Sequence, residues 1–143
     1  MNLVDVNLLL YAYDESSPLH ATAKAWLTDE FNAHEPTALV HGSLLSFIRI
    51  TTSARVLKRP LSLASALGIV DEWLAQPSVI LLDATERHWT LFKAVVSRSQ
   101  SIGALVMDAD LAASALEHGA TLCTHDRDFS RFSGLQVLYP LER

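Results

Sequence analysis

The 143-residue chain has a single cysteine, Cys123, so no internal disulfide can hold it together. Cys123 falls inside an apolar stretch that reads as a strand, where a lone thiol is expected to serve as a small core hydrophobe. Glycine and proline are scarce, five of each, and no run of them forms a linker or a low-complexity tract. Long apolar runs are missing as well. Half of the residues are hydrophobic, yet nothing approaches the roughly 18 uninterrupted apolar residues of a membrane span. Met1-Asn2-Leu3-Val4-Asp5 has no basic stretch ahead of its apolar residues, so no signal peptide is expected and a cytoplasmic protein is. Basic residues are outnumbered by acidic ones, 11 against 16, for a formal charge of −5. That balance argues against nucleic-acid binding through a broad basic surface. It leaves room for a nuclease whose acids converge on divalent cations, because such an ion reverses the local field and attracts phosphate. It would equally suit a basic partner. No Gly-rich phosphate loop and no G-x-S-x-G elbow is present, which leaves nucleophilic catalysis by serine or cysteine without support.

What is present reads as one domain, residues 1–143, large enough to bury roughly 70% of its unfolded surface. After a first apolar run ending at Asp5, a short helix is expected over 6–13. Ser17-Pro18 then signals the start of an amphipathic helix over 18–31, with Leu19, Ala23, Trp26, Leu27 and Phe31 at helical spacing. Val40, Leu44, Phe47, Ile48 and Thr51 give the next helical face. Ser62 caps a helix whose buried positions are expected to be Leu63, Leu67, Val70 and Leu74, ended by Gln76-Pro77. Val79-Ile80-Leu81-Leu82 has the continuous apolar character of a strand covered on both faces. Asp83-Ala84-Thr85-Glu86 has the form of a capping box opening a helix with Trp89, Phe92, Val95 and Val96 inward. A helix led by Leu105-Val106-Met107-Asp108 and stopped at Gly119 follows, then a strand over 121–124, a turn after Asp126 and a last strand near 136–138. Strands alternating with helices predict an α/β fold with a parallel sheet covered on both faces.

Three acids share one layout. Asp5, Asp108 and Asp126 each close a short apolar run, read as a strand end, and precede a helical pattern, and in a parallel α/β sheet ligands bind outside the carboxyl ends of the strands. An acid at a helix start is often only a cap. Asp83 fits that reading, since Glu86 completes its box. The other three have Leu8, Leu111 and Phe129 where the reciprocal partner would stand. Carboxylates brought together repel one another unless a cation lies between them. Oxygen donors without a histidine or thiolate at ligand spacing favour Mg²⁺, with Mn²⁺ as a substitute, over zinc. Asp110, two residues beyond Asp108, is expected to face away and interact with the helix dipole. Asp128 lies in a turn, where it could join Asp126. His88, His118 and His125 are expected outside the site.

With these residues placed, the chain resembles the PIN-domain family, and within it the VapC toxins of bacterial type II toxin–antitoxin systems. The pieces that carry the resemblance are Leu3-Val4-Asp5-Val6-Asn7-Leu8-Leu9-Leu10-Tyr11, Phe47-Ile48-Arg49-Ile50-Thr51-Thr52, Asp108-Ala109-Asp110-Leu111-Ala112-Ala113, and the run from Ala120 through Asp126-Arg127-Asp128-Phe129. The resemblance implies a three-layer fold: a central, mostly parallel sheet of four to five short strands flanked by helices. It implies a magnesium-dependent endoribonuclease that hydrolyses RNA phosphodiesters through metal-activated water and is neutralised by a cognate antitoxin. A homodimer is implied by the same analogy. Family metal-site acids map onto Asp5, Asp108 and Asp126, with Asp128 a frequent contributor, and Asn7 and Thr124 match polar positions that orient the site. The chain departs from the commonest pattern at Ser46, where many members carry a glutamate; the nearest upstream acid, Glu35, precedes that helix. The departure bears on a second cation and suggests a rival, a PIN scaffold that binds RNA or protein without turnover. A phosphoryl-transfer domain of receiver or dehalogenase type would need a second acid around Asp5-Val6-Asn7, which is not there. Trp26, Phe47, Ile48 and Trp73 could line a groove for a partner helix or belong to the core.

Overall fold

The computed structural model describes residues 1–142. In chain order its elements are β1 (Asn2–Val4), α1 (Val6–Tyr11), α2 (His20–Asn32), β2 (Thr37–Val40), α3 (His41–Thr51), α4 (Leu63–Ala75), β3 (Val79–Leu82), α5 (His88–Ser99), α6 (Leu105–His118), β4 (Thr121–Cys123), a 3₁₀ turn (Arg127–Arg131) and β5 (Val137–Leu138). The five strands form one sheet in the order β3-β2-β1-β4-β5, every pairing parallel. Leu3 lies opposite Leu122 and Val4 opposite Cys123, so β1 and β4 end level with each other.

The strands are short, and their period of two divides the core. Leu3, Ala38 and Leu122 join Ala109, Ala112, Ala115 and Phe129 on the face covered by α6. Val4, Leu39 and Cys123 join Leu8, Leu27, Phe47, Val70 and Trp73 on the face covered by α1 to α4. Small alanines on the buried side of α6 let that helix pack closely on the sheet. Larger aromatics fill the opposite layer. Phe47 and Trp73 rings meet with centroids 4.6 Å apart, and Trp73 Nε1 donates to the Tyr13 hydroxyl at 3.1 Å. Phe47 and Trp73 are therefore core, and Trp26 and Ile48 pack half-buried against the same cluster. Among the described residues no helix is long and apolar enough to cross a membrane.

Several expectations are corrected. Ser62 does cap α4, its hydroxyl accepting from the Ser65 N–H at 3.1 Å, but the buried face is Ala66, Val70 and Trp73. Leu63, Leu67 and Leu74 are exposed. Position 73 carries the largest apolar surface in the helix, and burying it rotates the leucines outward. Strand β3 forms one edge of the sheet, and Ile80 is 41% exposed rather than covered. The capping box at Asp83 does not form: α5 begins at His88, and Trp89 is exposed. Residues 105–107 are the first turn of α6 and not a strand, so Asp108 stands in a helix, unlike Asp5 and Asp126.

Candidate functional site

From β1 the chain crosses to β2 and β3 on one side, and later returns to β4 and β5 on the other. Beyond the carboxyl ends of β1 and β4 the connections diverge to opposite faces and leave a crevice, the usual ligand position in an open parallel sheet. Asp5 sits there. Its N–H donates to the Cys123 carbonyl at 2.9 Å, carrying the ladder one residue past the strand and fixing the backbone. Asp5 is the N-cap residue of α1, with an extended backbone, yet its side chain makes no capping hydrogen bond. Instead Oδ2 accepts from the Thr124 hydroxyl at 2.7 Å. Thr124 is fully buried, and its Oγ1 in turn accepts from Asn7 Nδ2 at 3.3 Å and from the Asp126 N–H at 3.1 Å. One hydroxyl thus joins the segments that follow β1 and β4. Asn7 Oδ1 is buried without a hydrogen-bond partner.

Asp108, in the first turn of α6, meets Asp5 on the other side of that residue, over the carboxyl ends of β1, β2 and β3. Together with Asp5, Ser46, Asp83, His88 and Asp110 it lines a cavity of about 300 Å³. Asp126 and Asp128 are not among the lining residues. Asp126 caps the 3₁₀ turn, Oδ1 accepting from the Asp128 N–H at 2.9 Å, and Asp128 is exposed. Both still act on the crevice through their charge. Burial first, and then Asp108 and Asp126, push the Asp5 carboxyl up to about 6 against the pull of its Thr124 and Val6 hydrogen bonds. Burial, Asp126 and Asp128 also raise Asp108, with partial relief from Arg131. Cys123 is buried and its thiol is pushed up to about 12, which makes it inert. The His125 ring stands edge-on to Tyr11, centroids 5.8 Å apart.

Sequence reasoning overlooked part of the cavity. Asp83, freed from the capping box, is on its wall. His88 and Asp110 line it too, linked to Glu117, a buried acid with no local signal at all. Burial opposes the charge on both His88 and Glu117, but their mutual hydrogen bond and those from Thr85 and to Asp110 prevail, raising His88 and lowering Glu117.

The donors suit a hard cation, since every candidate ligand atom is oxygen. No three His, Cys, Asp or Glu side chains among the described residues stand close enough to share one ion. A closed all-protein cage is therefore not what the crevice offers. A Mg²⁺-class ion keeps several waters and takes one or two carboxylates. Asp5 and Asp108 line one cavity, and Asn7, whose Oδ1 is unsatisfied, is tied to Asp5 through Thr124.

Known proteins match over the same span. A family model described as the PIN domain matches residues 3–135. Ribonuclease VapC33 of Mycobacterium tuberculosis is 41% identical over 141 residues, covering 99% of each chain. Ribonuclease VapC43 of the same organism is 39% identical over 142 residues, 99% of this chain and 97% of the other. Among solved structures, VapBC-1 from nontypeable Haemophilus influenzae superposes with a TM-score of 0.69 at 16% identity, covering 99% and 98% of the two chains. Mycobacterium tuberculosis VapC20, described as a sarcin–ricin loop cleaving toxin, does so with a TM-score of 0.66 at 16% identity, covering 95% and 99%. At that identity the structural likeness speaks for the fold, and the family assignment comes from the family model and the end-to-end sequence relatives: this chain belongs to the PIN-domain family, in its VapC branch.

Proposed function

We propose that the protein is a divalent-cation-dependent endoribonuclease of the toxin–antitoxin type, with Asp5 and Asp108 as its cation-holding pair. The observation that carries this reading is Asp5: a buried carboxylate at the strand-order switch, made costly by its surroundings, and engaged in no cap that would explain it. The relatives named as ribonucleases supply the substrate class. A bound Mg²⁺ or Mn²⁺ ion would supply charge neutralisation at a phosphate and would lower the pKa of a water, making hydroxide available to attack phosphorus as the leaving oxygen departs. The chain's own residues prepare for that. Thr124 donates to one oxygen of Asp5 and fixes the carboxylate's rotation, and Asn7 holds Thr124 in turn. Asp126 and Asp128 add negative potential that draws a cation to the crevice without lining it. An antitoxin partner is inferred from the toxin–antitoxin complexes among the fold neighbours, and dimerisation from the family resemblance.

RNA cleavage by the full chain is expected to stop on chelation with EDTA and to return with Mg²⁺ or Mn²⁺. Asp5→Asn keeps the side chain's shape and an oxygen for Thr124 but removes the charge, and is expected to lower cleavage at least 100-fold with the fold intact. Undiminished cleavage by this variant would overturn the assignment. Ser46 favours a second reading, because a hydroxyl stands on the cavity wall where many family members carry a carboxylate. A scaffold of that kind would bind RNA with or without chelator and never turn it over.

A further inference from the structure

The outer wall of the cavity carries an ordered chain of charges that a cation pair at Asp5 and Asp108 does not use. It begins at Glu117, whose side chain is 1% exposed. Glu117 Oε1 accepts from the Thr85 N–H at 2.9 Å and from the Thr85 hydroxyl, and Oε2 faces His88 Nδ1 at 2.7 Å. The other ring nitrogen, His88 Nε2, lies 2.6 Å from Asp110 Oδ1. Ionised carboxylate oxygens can only accept, so both ring nitrogens carry hydrogens and His88 is an imidazolium clamped between two anions. Arg87 Nη2 donates to the Glu117 carbonyl at 3.2 Å and His118 Nε2 to the Asp83 carbonyl at 3.1 Å. The connection over residues 83–88 is thereby pinned to α6, and with it the cavity wall.

Asp110 is the open end of this chain. Its side chain is 48% exposed, it lines the same cavity as Asp5 and Asp108, and Oδ2 has no hydrogen-bond partner among the described residues. A bare carboxylate there would repel a phosphodiester. The imidazolium, shared with Glu117, offsets only part of that charge, but it holds Asp110 so that one acceptor oxygen keeps a fixed direction.

We infer that His88, backed by Glu117, is a positioning residue that holds Asp110 as a hydrogen-bond acceptor for the RNA, its Oδ2 taking an N–H or O–H donor from a nucleotide beside the scissile phosphate. Such a donor is an exocyclic base amine or the ribose 2′-hydroxyl. The inference rests on the ribonuclease reading for its substrate, and its test is kept independent of turnover.

Fluorescence anisotropy of the full chain, with Ca²⁺ replacing Mg²⁺, would compare short single-stranded RNAs differing in base composition with their 2′-deoxy counterparts. Asp110→Asn keeps the bond to His88 and turns the free acceptor into a donor; it is expected to reduce the wild-type discrimination about tenfold. Loss confined to base preference identifies an amine, and loss confined to RNA over DNA identifies the 2′-hydroxyl. Mn²⁺ binding followed by electron paramagnetic resonance is expected to change less than twofold in this variant and to fall sharply in Asp5→Asn. His88→Gln and Glu117→Gln are expected to weaken the same discrimination, with thermal melts confirming folded protein. Unchanged discrimination in Asp110→Asn, or a wild type that shows none, overturns the inference; unchanged discrimination in a folded His88→Gln reduces His88 to a structural tie. Intact discrimination in a wild type that never cleaves RNA under Mg²⁺ would instead defeat the ribonuclease reading and leave the Asp110 contact standing.

Discussion

At the scale of single residues, the charge of Asp5 works against the fold that holds it. Its carboxyl, ordinarily at 3.8, rises to about 6 because burial and the neighbouring Asp108 and Asp126 disfavour the anion. The native state therefore holds this proton more tightly than the unfolded chain does, which favours folding below pH 3.8. That advantage is lost as the pH climbs through 6, leaving the cation-free protein about 3 kcal/mol less stable from this group above that point. Asp5→Asn is thus expected to raise the melting temperature at pH 8 in EDTA by roughly 6–12 °C, with the gain vanishing near pH 4. A merely structural acid would behave in the opposite way, costing about 1 kcal/mol on removal like any lost cap. Melts of the two proteins across this pH range decide between them; a lower melting temperature for the variant at pH 8 would sink the argument. That Asp5 closes a first apolar run is legible in the sequence. That Thr124, Asn7 and Asp126 form its hydrogen-bonded surroundings is not, because the contact between Asp5 and Thr124 spans 119 residues and leaves no local pattern.

Elements show where local rules hold and where packing overrides them. The same substitution, glycine to alanine, is expected to act with opposite sign at two helical positions. Gly68 lies in the exposed interior of α4 with nothing within 4 Å of an added Cβ, so Gly68→Ala should stabilise by about 0.5–1 kcal/mol. Gly119 closes α6 at φ +63°, again with open space around it, so only backbone strain opposes a side chain and Gly119→Ala should cost about 1–2 kcal/mol. Denaturant unfolding of both variants checks the pair, and equal signs would show that one helix end or face is misplaced. The stop at Gly119 and the cap at Ser62 were readable because each is written within a few residues. The face of α4 was not, since Ala66, Val70 and Trp73 compete with Leu63, Leu67 and Leu74 for the sheet and the winner depends on what the aromatic layer can accept. Residues 105–107 show the complementary failure: a short apolar run fits a strand or a helix start equally well, and only the register of the whole sheet excludes Asp108 from a strand end.

For the molecule as a whole, the parallel α/β architecture followed from the alternation of elements, but the crevice's chemistry depends on how two separately packed layers meet. Asp5 leads α1, which packs in the aromatic layer, while Asp108 belongs to α6 on the opposite face. The repulsion between them spans the sheet, so relieving it stabilises the assembly of both layers and not one helix alone. A cation held by this pair binds the native chain and not the unfolded one, in which the acids are far apart. Mass action then adds about 2.7 kcal/mol at a free ion concentration 100 times the dissociation constant. Wild-type protein at pH 8 is accordingly expected to melt higher as Mn²⁺ is titrated in, with near-UV and far-UV signals shifting together because both layers gain. Asp5→Asn and Asp108→Asn should start from a higher melting temperature in EDTA and respond little to the ion. If Mn²⁺ raised the melting temperature of all three proteins equally, the ion would be acting elsewhere on the acidic surface, and the shared grip of Asp5 and Asp108 would have to be abandoned.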